Sequence, residues 1–173
     1  IALANRHPRV NILQPGAGVG GHCIAVDPWF IVASNPEQAR IIRTAREVND
    51  SKPEWVLDKV KVAIADVLAH KPGYTRADIK VACLGLAFKP DIDDLRESPA
   101  VSITQAVAAL GCQVLAVEPN IHEIPRKLAL HNLKHAELAD ALGTADVICV
   151  LVKHGSFIKE LEAIRKHGSV VDA

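Results

Sequence analysis

Methionine does not occur in this sequence, and neither does a C-x-x-C pair, a long uninterrupted apolar run, or an excess of charge of either sign. Each absence excludes something. Four cysteines, Cys23, Cys83, Cys112 and Cys149, stand without ligand spacing, which argues against a structural zinc site and leaves no metal expected. No apolar stretch reaches the roughly eighteen residues of a membrane span, and no basic, cleavable leader is visible, so the expectation is a soluble cytoplasmic protein with no membrane partner. Twenty Lys plus Arg against twenty Asp plus Glu give no net field to attract nucleic acid, and any anion must be held by local charges. The missing methionine joins two other signs. The start, Ile1-Ala2-Leu3-Ala4-Asn5, reads as the last turn of a helix, and the end, Ser169 to Ala173, as a strand without a cap, which together predict a piece of a longer chain.

What is present is concentrated in the stretch Gln14 to Phe30, QPGAGVGGHCIAVDPWF, with four glycines, a His-Cys pair and an Asp-Pro. Glycine loses the most chain entropy on folding and contributes no packing, so such a density requires bare backbone, the simplest need being close approach to a ligand. Gly16, Gly18 and Gly21 have the G-x-G-x-x-G spacing of a dinucleotide-binding turn, after an apolar run Val10 to Leu13 that a strand could use. The context argues against that turn. The glycines run into Asp27-Pro28 rather than opening a helix, and no acid follows about twenty residues on within a second strand. The better reading is a loop that delivers Cys23 to a substrate whose negative groups meet backbone N–H donors.

Past the loop, 28–33 reads as a helical turn, and Asn35-Pro36-Glu37 as the capped start of a long helix. Apolar residues then recur at helical spacing to about Ala69, with Asp50-Ser51-Lys52-Pro53 able to kink or re-cap it. Some thirty residues is long for a compact domain, so the helix is expected to be a connector and dimer surface, an ordinary pair of core helices being the alternative. Lys71-Pro72-Gly73 marks a linker. Beyond it, short apolar runs over 80–88, 113–118, 147–152 and 169–172 alternate with helices over 99–110, 136–142 and 156–166, as in a parallel sheet buried on both faces. The predicted class is therefore α/β: a long central connecting helix followed by a doubly wound parallel sheet. The predicted organisation is a cysteine loop over 1–34, a helical connector over 35–70, a linker over 71–78 and an α/β domain over 79–173. Ligands of such sheets sit beyond the carboxyl ends of the strands, which points to the charged loop after the first strand, 89–98.

Two chemistries suggest themselves. Cys23 lies outside the apolar runs that hold the other three thiols, and flanking backbone donors could favour its thiolate, although an inert cysteine in a tight turn fits equally well. Asp27, four residues on, would disfavour ionisation beside it and is better suited to placing a water; His22 is a weaker candidate base, and a redox or metal centre on His22-Cys23 weaker still. Lys89, at the strand end, could meet a phosphate, and Arg96 stands among Asp93, Asp94 and Glu97, the alternative being a solvated loop of internal ion pairs.

Three blocks in order, GVGGHCIAVDPWF, ARIIRTAREVND and GLAFKPDIDDLRESP, resemble the nucleotide-sugar 6-dehydrogenases, the family that oxidises UDP-glucose, GDP-mannose and UDP-N-acetylhexosamines to uronates. The resemblance covers essentially the whole chain. The G-G-x-C-x-x-x-D signature falls on Gly20 to Asp27; Val26 stands where the UDP-glucose enzymes usually carry lysine, which is similar to the branch acting on UDP-N-acetyl-D-mannosamine, with UDP-N-acetylglucosamine or UDP-glucose as alternatives. The resemblance implies a Rossmann-like UDP-sugar-binding domain and a four-electron oxidation by two NAD⁺. It makes Cys23 the nucleophile that carries the thiohemiacetal and thioester, and Asp27 the residue that helps water hydrolyse the thioester. It also implies substrate contacts at His7, Arg9, Gly20, Phe88 and Lys89, an NAD contact at Arg96, and a homodimer through the central helix. The NAD domain and the lysine and asparagine of proton transfer are expected upstream of Ile1. The chain alone is then expected to be inactive, or to serve as a silent nucleotide-sugar-binding and dimerisation module.

Overall fold

The computed structural model describes residues 14–173 together with Leu3, Arg6 and His7, the side chain of Lys127 apart. Most of the opening turn, the run Val10 to Leu13 and Arg9 lie outside the described residues. The glycine loop leads into helix α1 (Asp27–Ser34), which has Pro28 in its first turn, where the missing N–H costs nothing. The long helix α2 (Arg40–His70) follows. It begins later than the Asn35-Pro36-Glu37 signal predicts, because Asn35 first closes a separate turn, accepting the N–H of Ala39 at 2.9 Å. Pro53 lies inside α2 and does not divide it. The proline cannot donate to the carbonyl of Asn49, one turn back.

After a short 3-10 turn (Arg76–Asp78), the chain enters the α/β unit. In order this is β1 (Lys80–Leu84), α3 (Pro99–Ala109), β2 (Gln113–Val117), β3 (Leu133–His135), α4 (Leu138–Thr144), β4 (Val147–Val150), α5 (Gly155–Lys159), α6 (Leu161–Lys166) and β5 (Val170–Asp172). All the strand pairs are parallel and the order across the sheet is β3-β2-β1-β4-β5. The chain winds outward from β1 to one edge, returns to β4, and winds to the other, so the direction reverses between β1 and β4. That is where a doubly wound sheet opens its crevice.

Alternate residues of each central strand serve opposite faces. Val81 and Cys83 of β1, with Val114, Ala116, Val147 and Cys149, pack beneath Ile103 and Val107 of α3 and beneath Val56, Val60 and Ile64 of α2. Ala82 and Leu84, with Val117 and Ile148, pack against Ala141, Phe157 and Ile164 of α4, α5 and α6. Burial on both faces explains why these strands read as continuous apolar runs.

Three expectations need correction. The first strand stops at Leu84, not at residue 88: Gly85 turns the chain with φ 88, and a Cβ there would lie 2.5 Å from Val152 Cβ. The last helix is two, broken at Glu160. A fifth strand, β3, pairs beside β2 through Val114–Leu133; at three residues, two of them Lys134 and His135, it carries no apolar run to be recognised by.

Candidate active site at the sheet's switch point

Helix α2 holds the glycine loop from below. One amide side chain satisfies both backbone groups of Val19: Val19 N–H donates to Asn49 Oδ1 at 2.7 Å, and Asn49 Nδ2 donates to Val19 O at 3.2 Å. Arg46, only 8% exposed, reaches the carbonyls of Val19 and Ile24 at 3.4 Å and pairs with Asp50 at 2.6 Å. Cys23 is thereby bracketed by a clamp on either side. Its own carbonyl accepts the N–H groups of Val26 (3.0 Å) and Asp27 (2.8 Å), the turn that starts α1, and its side chain is exposed, as are His22 and Asp27.

The loop 85–98, leaving the end of β1, closes on this loop from the other side. Gly21 N–H donates to Arg96 O at 3.3 Å, and Gly21, at φ 93, leaves the space into which the Phe88 ring packs: a Cβ there would stand 2.9 Å from Phe88 Cε2. A Cβ at Gly20 would overlap the carbonyl oxygen of Glu97 and lie 2.8 Å from Pro99 Cδ. Much of the bare backbone thus serves contact between two parts of the same chain. Glu97 itself adopts φ 46 and Asp91 φ 59, left-handed conformations that cost a non-glycine residue about 1–3 kcal/mol each and persist only where neighbours fix them.

Arg96 is held in a fork. Its Nε meets both Asp94 oxygens at 3.0 Å and its Nη2 meets one at 2.6 Å, while its backbone N–H caps Asp94 Oδ1 at 2.9 Å. These bonds hold the Asp94 carboxyl down at about 2, against a smaller opposing effect of burial, and raise Arg96. His22 and Cys23 stand close enough to add smaller electrostatic effects to Asp94 and Arg96 respectively. Lys89 is exposed, its Nζ 5.8 Å from the centroid of the Phe88 ring.

A cavity of about 640 Å³ opens where these loops meet the carboxyl ends of β1, β4 and β5. Gly16, Gly18 and Gly20 line one wall, Phe88 and Lys89 another, and Lys153 and Asp172 a third. A second cavity, about 510 Å³, lies behind the glycine loop among Trp29, Arg46, Asn49, Glu97 and Gln105. Ile24 lines the first and Ala25 the second, whereas Cys23 and Asp27 line neither. Of the residues singled out from sequence, Gly20, Phe88 and Lys89 share the larger cavity, and Arg96 is bonded to Gly21, two residues before Cys23; His7, like Cys23 and Asp27, is exposed and lines neither cavity. Among the described residues no cluster of His, Cys, Asp and Glu suits a metal ion.

Sequence reasoning passed over Lys153, Arg46, Asn49, Glu118 and His154. A signal existed for two of them: Arg46 and Asn49 put polar groups on the inward face of an otherwise apolar stripe. Glu118 follows β2 directly and His154 lies four residues past the end of β4, and both are buried.

Residues 82–173 match the UDP-binding domain of the UDP-glucose/GDP-mannose dehydrogenase family, and residues 1–51 match that family's central domain. UDP-N-acetyl-D-mannosamine dehydrogenase of Escherichia coli K12 is 64% identical over 159 residues, which is 91% of this chain and 37% of that protein. NDP-N-acetyl-D-galactosaminuronic acid dehydrogenase of Ralstonia nicotianae is 53% identical over 173 residues, 99% of this chain and 38% of the relative. Among solved structures, UDP-D-ManNAc dehydrogenase from Pyrococcus horikoshii superposes with a TM-score of 0.74 at 28% identity, over 98% of this chain and 38% of that one. The chain therefore spans between a third and two-fifths of these proteins' length, and it belongs to the UDP-glucose/GDP-mannose dehydrogenase family.

Proposed function

We propose that this chain is the nucleotide-facing, cysteine-bearing part of an NAD-dependent 6-dehydrogenase that converts UDP-N-acetyl-D-mannosamine to the uronate. The observation carrying this reading is the junction of the glycine loop with the loop 85–98, through Gly21–Arg96, Gly21–Phe88 and Gly20–Glu97. It brings the loop that carries the only exposed thiol among the described residues against the loop that lends Lys89 to a cavity, shared with Lys153, at the sheet's switch point. A nucleoside diphosphate needs that combination of cations and open backbone.

In the reaction, the sugar C6 alcohol loses a hydride and a proton to give an aldehyde. The Cys23 thiolate adds to its carbonyl carbon, forming a C–S bond as the C=O π pair moves to oxygen, and the resulting thiohemiacetal oxyanion loses a second hydride to become a thioester. Water then breaks that C–S bond, releasing the carboxylate and returning the thiol; in this reading Asp27, on the first turn of α1 and four residues from Cys23, orients the water. Two NAD⁺ molecules, bound in turn, would accept one hydride each. Arg96 fits a dinucleotide contact, its guanidinium fixed by Asp94 yet 64% exposed next to Cys23. Gly16–Gly21 do not fit one, since Gly20 and Gly21 are occupied by Glu97, Pro99 and Phe88. Phe88, Lys89 and the part of the Gly20 backbone that lines the larger cavity are the UDP-sugar contacts we infer, and His7 and Arg9, outside that lining, are assigned to the same set by the resemblance alone.

The division we infer is a cysteine loop to residue 34, a connector to 70, a linker to 78 and the nucleotide domain from 79. Self-association through α2 belongs to the same reading. Ile41, Val48, Trp55 and Val62 recur at intervals of seven on the helix face turned from the core, with 86%, 66%, 48% and 59% of their surface exposed. A seven-residue apolar repeat is the pattern two helices use to pack together.

Calorimetric titration of the chain with UDP tests the reading: saturable binding is expected, weakened about tenfold but still measurable when Lys89 is changed to Ala. No NADH should form from NAD⁺ and UDP-N-acetyl-D-mannosamine, because the chain lacks a dinucleotide turn among its described residues. Absence of UDP binding at millimolar concentrations would overturn the assignment.

A further inference from the structure

Beneath the cavity, a buried polar assembly ties together the three loops that leave β1, β2 and β4. Glu118, at the end of β2, is 2% exposed and His154, after β4, is 0% exposed. Glu118 Oε2 accepts the N–H groups of Leu86 at 2.7 Å and Ala87 at 3.0 Å. Its other oxygen accepts from Asn120, through the backbone at 3.1 Å and the side chain at 3.3 Å. His154 Nε2 lies 3.0 Å from Glu118 Oε2, while Nδ1 accepts the N–H of Asp91 at 2.9 Å. A backbone N–H can only donate, so Nδ1 carries no proton and the ring is a neutral imidazole donating Nε2–H to Glu118. Asp91 returns the contact: its carboxylate accepts Gly155 N–H at 2.8 Å. Burial alone would raise the Glu118 carboxyl, but the bonds from His154, Leu86 and Asn120 outweigh it and keep the group ionised.

These bonds fall on either side of Lys89 in one loop and next to Lys153 in another. Leu86, Ala87 and Asp91 frame Phe88 and Lys89, and Lys153 immediately precedes His154. Both lysines line the larger cavity. Left-handed Asp91 needs a partner to hold it, and His154 is that partner. Resting on the nucleotide reading above, we propose that His154, anchored by Glu118, is a positioning residue that sets Lys89 and Lys153 as a cation pair for the diphosphate of the nucleotide. It touches no ligand itself.

Two substitutions separate the two halves of the imidazole. Asn places an amide near Nδ1 and can keep the Asp91 bond while losing Glu118; Gln reaches towards Nε2 and can keep Glu118 while losing Asp91. In the 173-residue chain, His154→Gln is expected to weaken UDP binding by about tenfold, the loss of one well-placed bond, and His154→Asn by about threefold or less. In a Lys89→Ala, Lys153→Ala background, His154→Gln should produce no further loss, because coupled residues do not add. Amide exchange gives a reading without ligand: Asp91 N–H should be protected in the wild type and in His154→Asn, and exposed in His154→Gln, with β1 and β4 protected throughout. Equal losses for the two variants, a full additional loss in the lysine-free background, or an unprotected Asp91 amide in the wild type would each overturn the proposal. If the wild type binds no UDP while Asp91 follows the expected exchange pattern, the nucleotide reading fails, and with it the diphosphate role, whereas the hold on Asp91 by His154 stands.

Discussion

Cys23 differs from the chain's other thiols in surroundings more than in neighbours along the sequence. Cys83 and Cys149 face each other across β1 and β4, fully buried, and burial pushes the Cys83 thiol up to about 12. Cys112, just before β2, is also buried, and burial raises its thiol too. Iodoacetamide under native conditions is therefore expected to add one label, on Cys23, with the other three reacting only after denaturation; mass spectrometry of peptides distinguishes the outcomes. Asp94 offers a second prediction at this scale. Its folded carboxyl, near 2, lies below the ordinary aspartate value, so the pair with Arg96 contributes stability that is fully present above about pH 4 and is lost as pH falls towards 2. Thermal unfolding followed across that window should show the decline, and Asp94→Asn should remove this component of it. The sequence made Cys23 legible because it alone stood outside an apolar run. It could not reveal that Asp94, rather than Asp93 or Glu97, grips Arg96, since that choice depends on a backbone in which Glu97 is left-handed.

At the scale of elements, α2 carries two stripes. Val56, Val60 and Ile64 enter the core of the α/β unit, while Ile41, Val48, Trp55 and Val62 face away, Trp55 lying beneath Lys52 with the ammonium 3.5 Å from its centroid. Val48→Asp would place a charge in the middle of the outer stripe without touching the core. We expect it to shift the chain from dimer to monomer in sedimentation equilibrium with little change in circular dichroism, whereas Val60→Ala should lower stability by about 1–2 kcal/mol and leave association alone. The helix was readable because its apolar spacing is sustained over thirty residues. Its start was not, because the Asn-Pro-Glu signal describes a cap equally well whether or not a separate turn intervenes. Strands β1, β2 and β4 were readable from burial on both faces; edge strand β3 was not, having one buried residue of three. The end of β1 was missed for a different reason. Residues 85–87 are as buried as the strand itself, but Leu86 and Ala87 give their N–H groups to Glu118, and apolar composition does not disclose where a backbone bond goes.

For the molecule as a whole, the site is an interface within one chain. Residues nearly eighty positions apart meet at Gly20, where a methyl group would collide with the carbonyl of Glu97 and with Pro99. Backbone gives way less readily than a flexible side chain, so Gly20→Ala is expected to lower stability by about 1–3 kcal/mol and to weaken UDP binding together with it, read by urea unfolding and calorimetry on the same sample. Unchanged stability would mean that the two loops can part freely. The fold class and the two loops could be read from sequence, but their mutual contact could not: the glycines were expected to make room for a ligand, and Gly20 and Gly21 make room for the protein.

That contact sets a rule for recombining this chain with its relatives. A crossover anywhere between the glycine loop and the end of β1 would join a Gly20–Gly21 edge from one parent to a Phe88–Glu97–Pro99 edge from another. The two edges are complementary in shape to within a methyl group, so they form a single inherited unit despite the long helix between them. Functional chimeras should therefore exchange both loops together, or neither.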